Sequence, residues 1–260
     1  MPTPIEILMD PLSIDVLCLY AFLLLWERVR PARKLPIVKG WVTRACASFT
    51  LFFFLSSYLP MLWDASLAEY RVLDLTHLGA VPGACIGLLV YEAVLYLWHR
   101  SLHEYGFLFR GLHQMHHSAE RIDALGAFYF SPLDMAGFTF IGSLSLSLIV
   151  GISADAATIF LFATMFLGIF QHMNVATPQW LGLLIQRPES HALHHARGVH
   201  YFNFSDLPVF DMLGGTFRNP AGFAKDAGFY DGASSRVADM LLWRDVSDEL
   251  PERQSGTSPA

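Results

Sequence analysis

The sequence predicts an all-α, multi-span helical membrane protein of about four to five spans, with a cytoplasmic-side helical cap that carries a histidine-rich di-metal site. Three observations predict it. Hydrophobic residues make up 53% of the 260 and charged residues only 15%, a balance too apolar for a water-facing globule of that length. The apolar residues gather in runs near the length of a bilayer crossing. Finally, nine of the 11 histidines fall in two dense regions, 99–117 and 172–195, each opening at the end of such a run.

The runs cover 12–26, 42–62, 81–98, 133–152 and 156–170. The first is short and holds Asp15, which suits either a segment partly in the interface or a broken helix. Trp26, Trp41, Trp63, Trp98 and Trp180 stand near run ends, as interfacial anchors do. Between the first two runs, Arg28, Arg30, Arg33, Lys34, Lys39 and Arg44 mark a cytoplasmic loop by the positive-inside rule. Counting spans from there ends the third at Trp98 on the cytoplasmic side. The fourth and fifth go out and back through Gly151-Ile152-Ser153, and the fifth returns at Gln171-His172, so both histidine regions meet on one face.

The expected location is an integral membrane protein of a bacterial inner membrane or of the endoplasmic reticulum. The N-terminus lacks a secretory lead-in and cleavage site, so its first run reads as a retained anchor. Residues 1–244 read as a single membrane-embedded domain and 245–260 as a polar, disordered tail. Arg236 to Trp243 suits a short amphipathic helix, on the membrane surface or as a plain part of the cap. Net charge −6 and the lack of a basic run interleaved with aromatics argue against nucleic acid as a partner. Cys18, Cys46 and Cys85 are isolated in apolar stretches and read as small apolar residues rather than a disulfide framework.

His99 and His103 in WHRSLHE are four apart, which on a helix continuing out of the third run places both imidazoles on one face. His113, His116 and His117 follow in HQMHH, where spacings of three and four again share a helical face. After the hairpin come His172 in QHMN, then His191, His194 and His195 in HALHH. Neutral imidazole suits Fe, Zn or Cu, and two close ions need about eight or more donors where carboxylates are scarce. Nine histidines supply that number. Glu-x-x-His pairs and the HExxH zinc signature are both absent. Lone His77 reads as a surface residue, and His200, just past the last cluster, is open between ligand, partner of a ligand and bystander.

The series WHRSLHE, HQMHHSAE, QHMN, PESHALHH and NFSDLPVFDMLGGTF, across 91–219, resembles the fatty acid hydroxylase and sterol desaturase superfamily of membrane oxygenases. Ser205, Phe210 and Gly214 depart from the family's common glycine, tryptophan and phenylalanine, and none of them replaces a ligand. The resemblance implies a non-haem di-iron centre that uses O2 to hydroxylate or desaturate a C–H bond of a membrane lipid, sterol or fatty acyl in type. It implies His99, His103, His113, His116, His117, His172, His191, His194 and His195 as ligands of two Fe ions, with Zn able to take their place in a purified or heterologous sample. Asn174 matches the family's His-x-Asn and is a candidate to orient a ligand; it also suits a helix C-terminus.

A lipid-dwelling substrate must be met where hydrocarbon and water adjoin, and the end of the spans is such a place. Phe128-Tyr129-Phe130 suits either exclusion of water from the site or plain packing. Among the acids Glu104, Glu120, Asp123, Asp206 and Asp211, the last is the favoured acceptor for an imidazole N–H. No ferredoxin-type cysteine set, flavin fingerprint or haem module occurs, which points to a separate electron donor of ferredoxin or cytochrome type. Two rival readings are a histidine-rich metal or proton transporter and a bis-histidine haem anchor. The first expects histidines at mid-depth and a repeat symmetry; the second leaves most of the nine unexplained.

Overall fold

Each apolar run becomes a helix in the computed structural model, which describes residues 1–248. A capping box of Thr3 and Glu6 starts the short α1 (Pro4–Met9). The Asp10 side chain then accepts from Leu12 N at 2.9 Å and starts α2 (Pro11–Val29). This helix is continuous through Asp15, so the first run is not broken. Next, α3 (Trp41–Tyr58) passes through Leu59, which keeps helical dihedrals, into α4 (Pro60–Glu69). Pro60 brings no N–H to the ladder at that junction, yet the helix carries on well past the expected end at 62.

A loop containing β1 (Leu73–Asp74) leads to α5 (Ala80–Glu104), an unbroken helix of 25 residues. It runs on past Trp98 and so carries His99 and His103. Beyond it the chain folds into the short α6 (Gly106–Leu108), a π-helical turn at Phe109–His113 and α7 (Gln114–His117). The chain re-enters the helical layer as α8 (Pro132–Ser143), whose last stretch, Leu144–Ile149, is π-helical, and after β2 (Val150–Gly151) as α9 (Ala154–Phe170). Three of these stretches, among the described residues, are long and apolar enough to cross a bilayer: Trp41–Glu69, Ala80–Glu104 and Pro132–Ile149; α9 is a shorter apolar helix.

The two-residue strands pair in parallel, Leu73 with Val150 and Asp74 with Gly151. They tie the α4–α5 and α8–α9 connections together at the end of the bundle remote from the histidines. From that end α5 and α9 run side by side in the same direction; Tyr91 meets Phe160 edge-to-face at 5.2 Å. Their C-terminal ends therefore arrive together, which is what brings His99 near His172.

At that end sits a cap of short helices: α10 (Pro188–His194), α11 (Val209–Gly214) and α12 (Val237–Leu241). Beneath it Tyr20, Leu23, Phe128, Phe130, Ile169 and Phe170 form a core joining α2, the 124–130 loop and α9. Trp41 is buried in a second core and donates to Asp123 Oδ1 at 3.2 Å, so it serves the cap rather than anchoring at the interface. Exposed Trp180 keeps the character of an anchor. Val246 is fully buried although 241–245 are exposed, and of the expected polar tail the residues 249–260 lie outside the described ones.

Candidate metal centre

The nine clustered histidines converge, and they do so as two groups. His99, His103, His113, His117 and His194 form one, and His116, His172, His191 and His195 the other, with the ligand nitrogens of each group within 4.8 Å of one another. The groups touch: the rings of His117 and His195 stack at 4.2 Å. Eight of the nine are buried and His103 is partly so.

The HxxHH spacing acts differently from a single shared face. In HQMHH the outer pair, His113 and His117, joins the first group while His116 turns to the second. In HALHH the outer pair, His191 and His195, joins the second while His194 turns to the first. Each motif thus straddles both groups, as residues three and four apart lie on either side of one helical face. The π turn ending at His113 sets that residue's rotation relative to α7, a use of π geometry common at functional sites.

Hydrogen bonds fix the tautomers. His99 Nδ1 lies 2.7 Å from Phe204 O, His172 Nδ1 2.7 Å from Gly168 O and His194 Nδ1 2.7 Å from Phe202 O. A carbonyl oxygen only accepts, so each Nδ1 carries the proton and each Nε2 presents a bare lone pair. His113 Nδ1 likewise donates to Asp134 Oδ2 at 2.7 Å, both side chains being buried. Yet His99 Nε2 and His113 Nε2 face each other at 3.0 Å, and His172 Nε2 lies 3.1 Å from His116 Nε2 and 2.9 Å from His191 Nε2. In the His99–His113 pair both protons are held on Nδ1, so two Nε2 lone pairs face each other and repel, and a shared cation removes the repulsion. The buried Nε2 atoms of His103, His117 and His194 also lack any hydrogen-bond partner. This donor set fits two metal ions.

Burial holds the imidazoles of His116, His117, His191, His194 and His195 well below the usual histidine range, and neighbouring imidazoles add to it. The same desolvation lowers His172 to about 4. All are neutral at pH 7, the form that ligates.

A model of the fatty acid hydroxylase family matches residues 84–216, just over half of the chain and every histidine of both groups. The chain belongs to the fatty acid hydroxylase family. It is 31% identical over 142 residues to the ornithine lipid hydroxylase of Rhizobium tropici, covering 52% of this chain and 41% of that one. Against the alkylglycerol monooxygenase of Caenorhabditis elegans identity is 32%, over 54% of this chain and 26% of the relative. Against the cholesterol 25-hydroxylase of Rattus norvegicus it is 25%, over 79% and 70%. The chain thus spans less than half the length of the first two. No solved structure matches it significantly.

Within this fatty acid hydroxylase fold the supporting residues differ from those expected. Asp211 accepts from Phe204 N at 2.8 Å, Ser205 N at 3.0 Å and Thr216 Oγ1 at 2.6 Å, so it holds the loop whose carbonyl takes the His99 proton rather than touching an imidazole itself. Ser205 donates its hydroxyl to Asp211 as well, a bond glycine could not make. Gly214 has a steric reason too: a Cβ there would overlap the Tyr96 hydroxyl. Asn174 donates to Arg33 O at 2.6 Å and to no imidazole. His200 sits outside both groups with its Nδ1 3.1 Å from His117 Nδ1, half-buried and lowered to about 4 mainly by desolvation. His77 is exposed and remote.

Glu104 pairs with Arg100, Glu120 takes the Gly232 and Ser234 amides, Asp123 binds Arg121 and Trp41, and Asp206 accepts from Gln171. The carboxylate that does meet an imidazole, Asp134, was hidden in SPLD, where it reads simply as the third residue of a capped helix; the Ser131 cap is indeed present. Three more supports carry no local motif. Glu92, fully buried two turns before His99, accepts from Asp206 N and Leu207 N. Glu27 accepts from Ala124 N and Asn174 N, joining both histidine-bearing segments to α2. Buried Arg187 pairs with Glu189 at 3.0 Å and grips Thr177 and Asn219, setting the start of α10. An ionisable residue inside an apolar run was the available signal for Glu92.

A cavity of about 130 Å³ opens on the centre. Its walls include His99, His113, His116, His172 and His191 together with Phe128, Phe130 and Phe138. Phe130 stands 4.3 Å from the His116 ring, whereas Tyr129 turns away and donates to Ser234 O at 2.6 Å. The aromatic segment thus divides, two rings facing the site and one serving the cap.

Proposed function

We propose that this chain is an O2-dependent, non-haem di-iron oxidoreductase that hydroxylates or desaturates a C–H bond of a membrane lipid. The observation that carries the reading is the pair of buried imidazole groups, with the Nε2 lone pairs of His99 and His113 facing one another, beside a cavity walled by phenylalanine. Five nitrogens would hold one iron and four the other. Bound iron supplies the activation of O2 and the oxidising power for the C–H bond. The protein's own part is positional. Phe204, Phe202 and Gly168 carbonyls and the Asp134 carboxylate keep the protons on Nδ1 and the lone pairs inward. Phe128, Phe130 and Phe138 give an apolar surface on which hydrocarbon can lie while water is kept out.

The number of converging imidazoles favours this reading over a haem anchor, since five nitrogens, or four, within 4.8 Å of one another occupy the positions that a macrocycle would fill around a bis-imidazole iron. A placement at the ends of α5 and α9 favours it over transport through the bilayer centre. The basic 27–44 loop packs on the turn after His172, through Ala32 N to Asn174 O at 2.8 Å and Asn174 to Arg33 O, which with the positive-inside rule supports a cytoplasmic site. Electrons then arrive from a separate ferredoxin- or cytochrome-type donor in that compartment.

The test is lipid mass spectrometry on cells expressing the wild-type chain or His116→Ala, with iron measured on the purified proteins. Gain of one oxygen or loss of two hydrogens in a lipid class, absent in the variant, and about two irons per wild-type chain are expected. An unchanged lipid profile, or a Soret band in the purified protein, overturns the proposal.

A further inference from the structure

The cavity at the histidines adjoins a larger one in the bundle. Phe52, Tyr91, Phe138, Thr164 and Met165 line both, and the larger, of about 540 Å³, lies farther into the helical layer. The α9 part of the wall contains a stripe along the helix: Ala154, Ala157, Leu161 and Thr164 face the larger cavity, and Gly168 faces the smaller. Steps of three and four residues keep one helical face. At 1.5 Å per residue, Ala154 to Gly168 spans about 21 Å. One leaflet of a hydrocarbon core of about 30 Å is only about 15 Å deep. The two adjoining cavities together are therefore longer than a leaflet and lie along the apolar helix α9.

Small residues hold them open. At Gly142, in the wall of the larger cavity, an added Cβ would meet nothing within 4 Å. The charged side chain in that wall, Asp64, does not belong to the part shared with the histidine cavity.

We propose that these adjoining cavities form a channel for one unbranched hydrocarbon chain, so that the part of the lipid brought to the histidines is an acyl or alkyl chain and not a fused-ring system. The chemistry rests on the oxygenase reading above; the fit does not. Size decides which part of a lipid can lie beside the histidines. The space beside the histidines, about 130 Å³, is well under half of the roughly 300 Å³ at which pockets begin to enclose a drug-sized ligand. A rigid ring system must be admitted whole, whereas a chain presents a few methylenes at a time past Phe52, Tyr91 and Phe138.

The test is photolabelling of the protein in phosphatidylcholine nanodiscs, with palmitic acid or cholesterol carrying a diazirine, followed by peptide mapping. The palmitate probe is expected to label Phe138, Thr164 or Met165, and unlabelled palmitate to compete. Gly142→Leu and Ala157→Leu are each expected to lower that labelling at least fivefold while leaving the label on exposed Phe22 and Leu25 unchanged. Labelling of the channel by the sterol probe and not by palmitate, or equal labelling in wild type and in folded variants, overturns the channel. The wild-type map decides even if a variant does not fold. Because labelling needs neither iron nor turnover, failure of the oxygenase reading shows separately, as a labelled wild-type protein that loads iron and oxidises no lipid.

Discussion

The two imidazole groups are built on different supports. In the first, His99 and His103 ride on a 25-residue helix, and His99, His113 and His194 each give the Nδ1 proton to a carbonyl or carboxylate. In the second, His172 alone is tied to a carbonyl, while His116 and His195 have Nδ1 atoms without any partner. Its members come from a turn and from helices of four and seven residues. The first group is thus oriented by three such hydrogen bonds and by the long helix α5, the second by the His172 bond, by Gln186 at 3.0 Å from His191 Nδ1, and by crowding against the first. Removing one imidazole should therefore harm the second more.

The largest effect tests that contrast directly. His116→Ala leaves three nitrogens of four, and His194→Ala leaves four of five. Both are expected to lose lipid oxidation by more than about 100-fold, since each opens a ligand set whose mere outer partners are worth 10–100-fold. Bound iron, read by elemental analysis, is expected to fall further in His116→Ala. Equal iron in the two variants would break the comparison.

Asp134→Asn comes next. An amide in place of the carboxylate weakens the hold on His113 Nδ1 and lowers that imidazole's basicity, so metal affinity at the first group is expected to drop about 10–100-fold. Titration with iron should then resolve one weakened and one unaltered site. Two sites weakened alike would show that the groups do not fill independently.

Acidity sharpens the contrast in the chelated protein. His172 has its folded value lowered to about 4 from 6.5, so below 6.5 the unfolded chain binds a proton that the folded chain refuses. Stability that is full above 6.5 is therefore lost as pH falls toward 4, by up to about 1.4 kcal/mol per pH unit for this group. Thermal melting between pH 7 and 4 reads it. A melting temperature flat over that range would count against a buried, neutral His172.

How far the sequence could be read follows from the range of each interaction. The helices were legible because apolar runs and their length act locally, and the nine histidines because their spacing repeats within motifs. The division into two groups was not legible, since i, i+3 and i, i+4 positions look alike until a helix meets its neighbours; His116 and His117 are adjacent in sequence and belong to different groups. Asp134, Glu92 and Glu27 escaped for a related reason. Each acts across 21 to 147 residues of chain, and locally each has an ordinary reading as a cap, an odd charge in a span, or part of a polar loop. Trp41 likewise stands where an anchor belongs, and only the fold reveals Asp123 as its partner.

The smallest effect concerns the histidine between these categories. His200 approaches His117 through Nδ1, the nitrogen opposite the buried Nε2 that lacks a partner, so it supports the ligand from behind. It is half-buried and absent from both groups, which leaves each with its full set of imidazoles when His200 is removed. His200→Ala is expected to keep both irons and to lower turnover by less than about tenfold, below the range for a fully buried outer partner. Since the support is given to His117, the loss should fall on the better-anchored first group and be absorbed there by its hydrogen bonds. A loss of iron as large as in His194→Ala would move His200 into the ligand set and make the first group one of six.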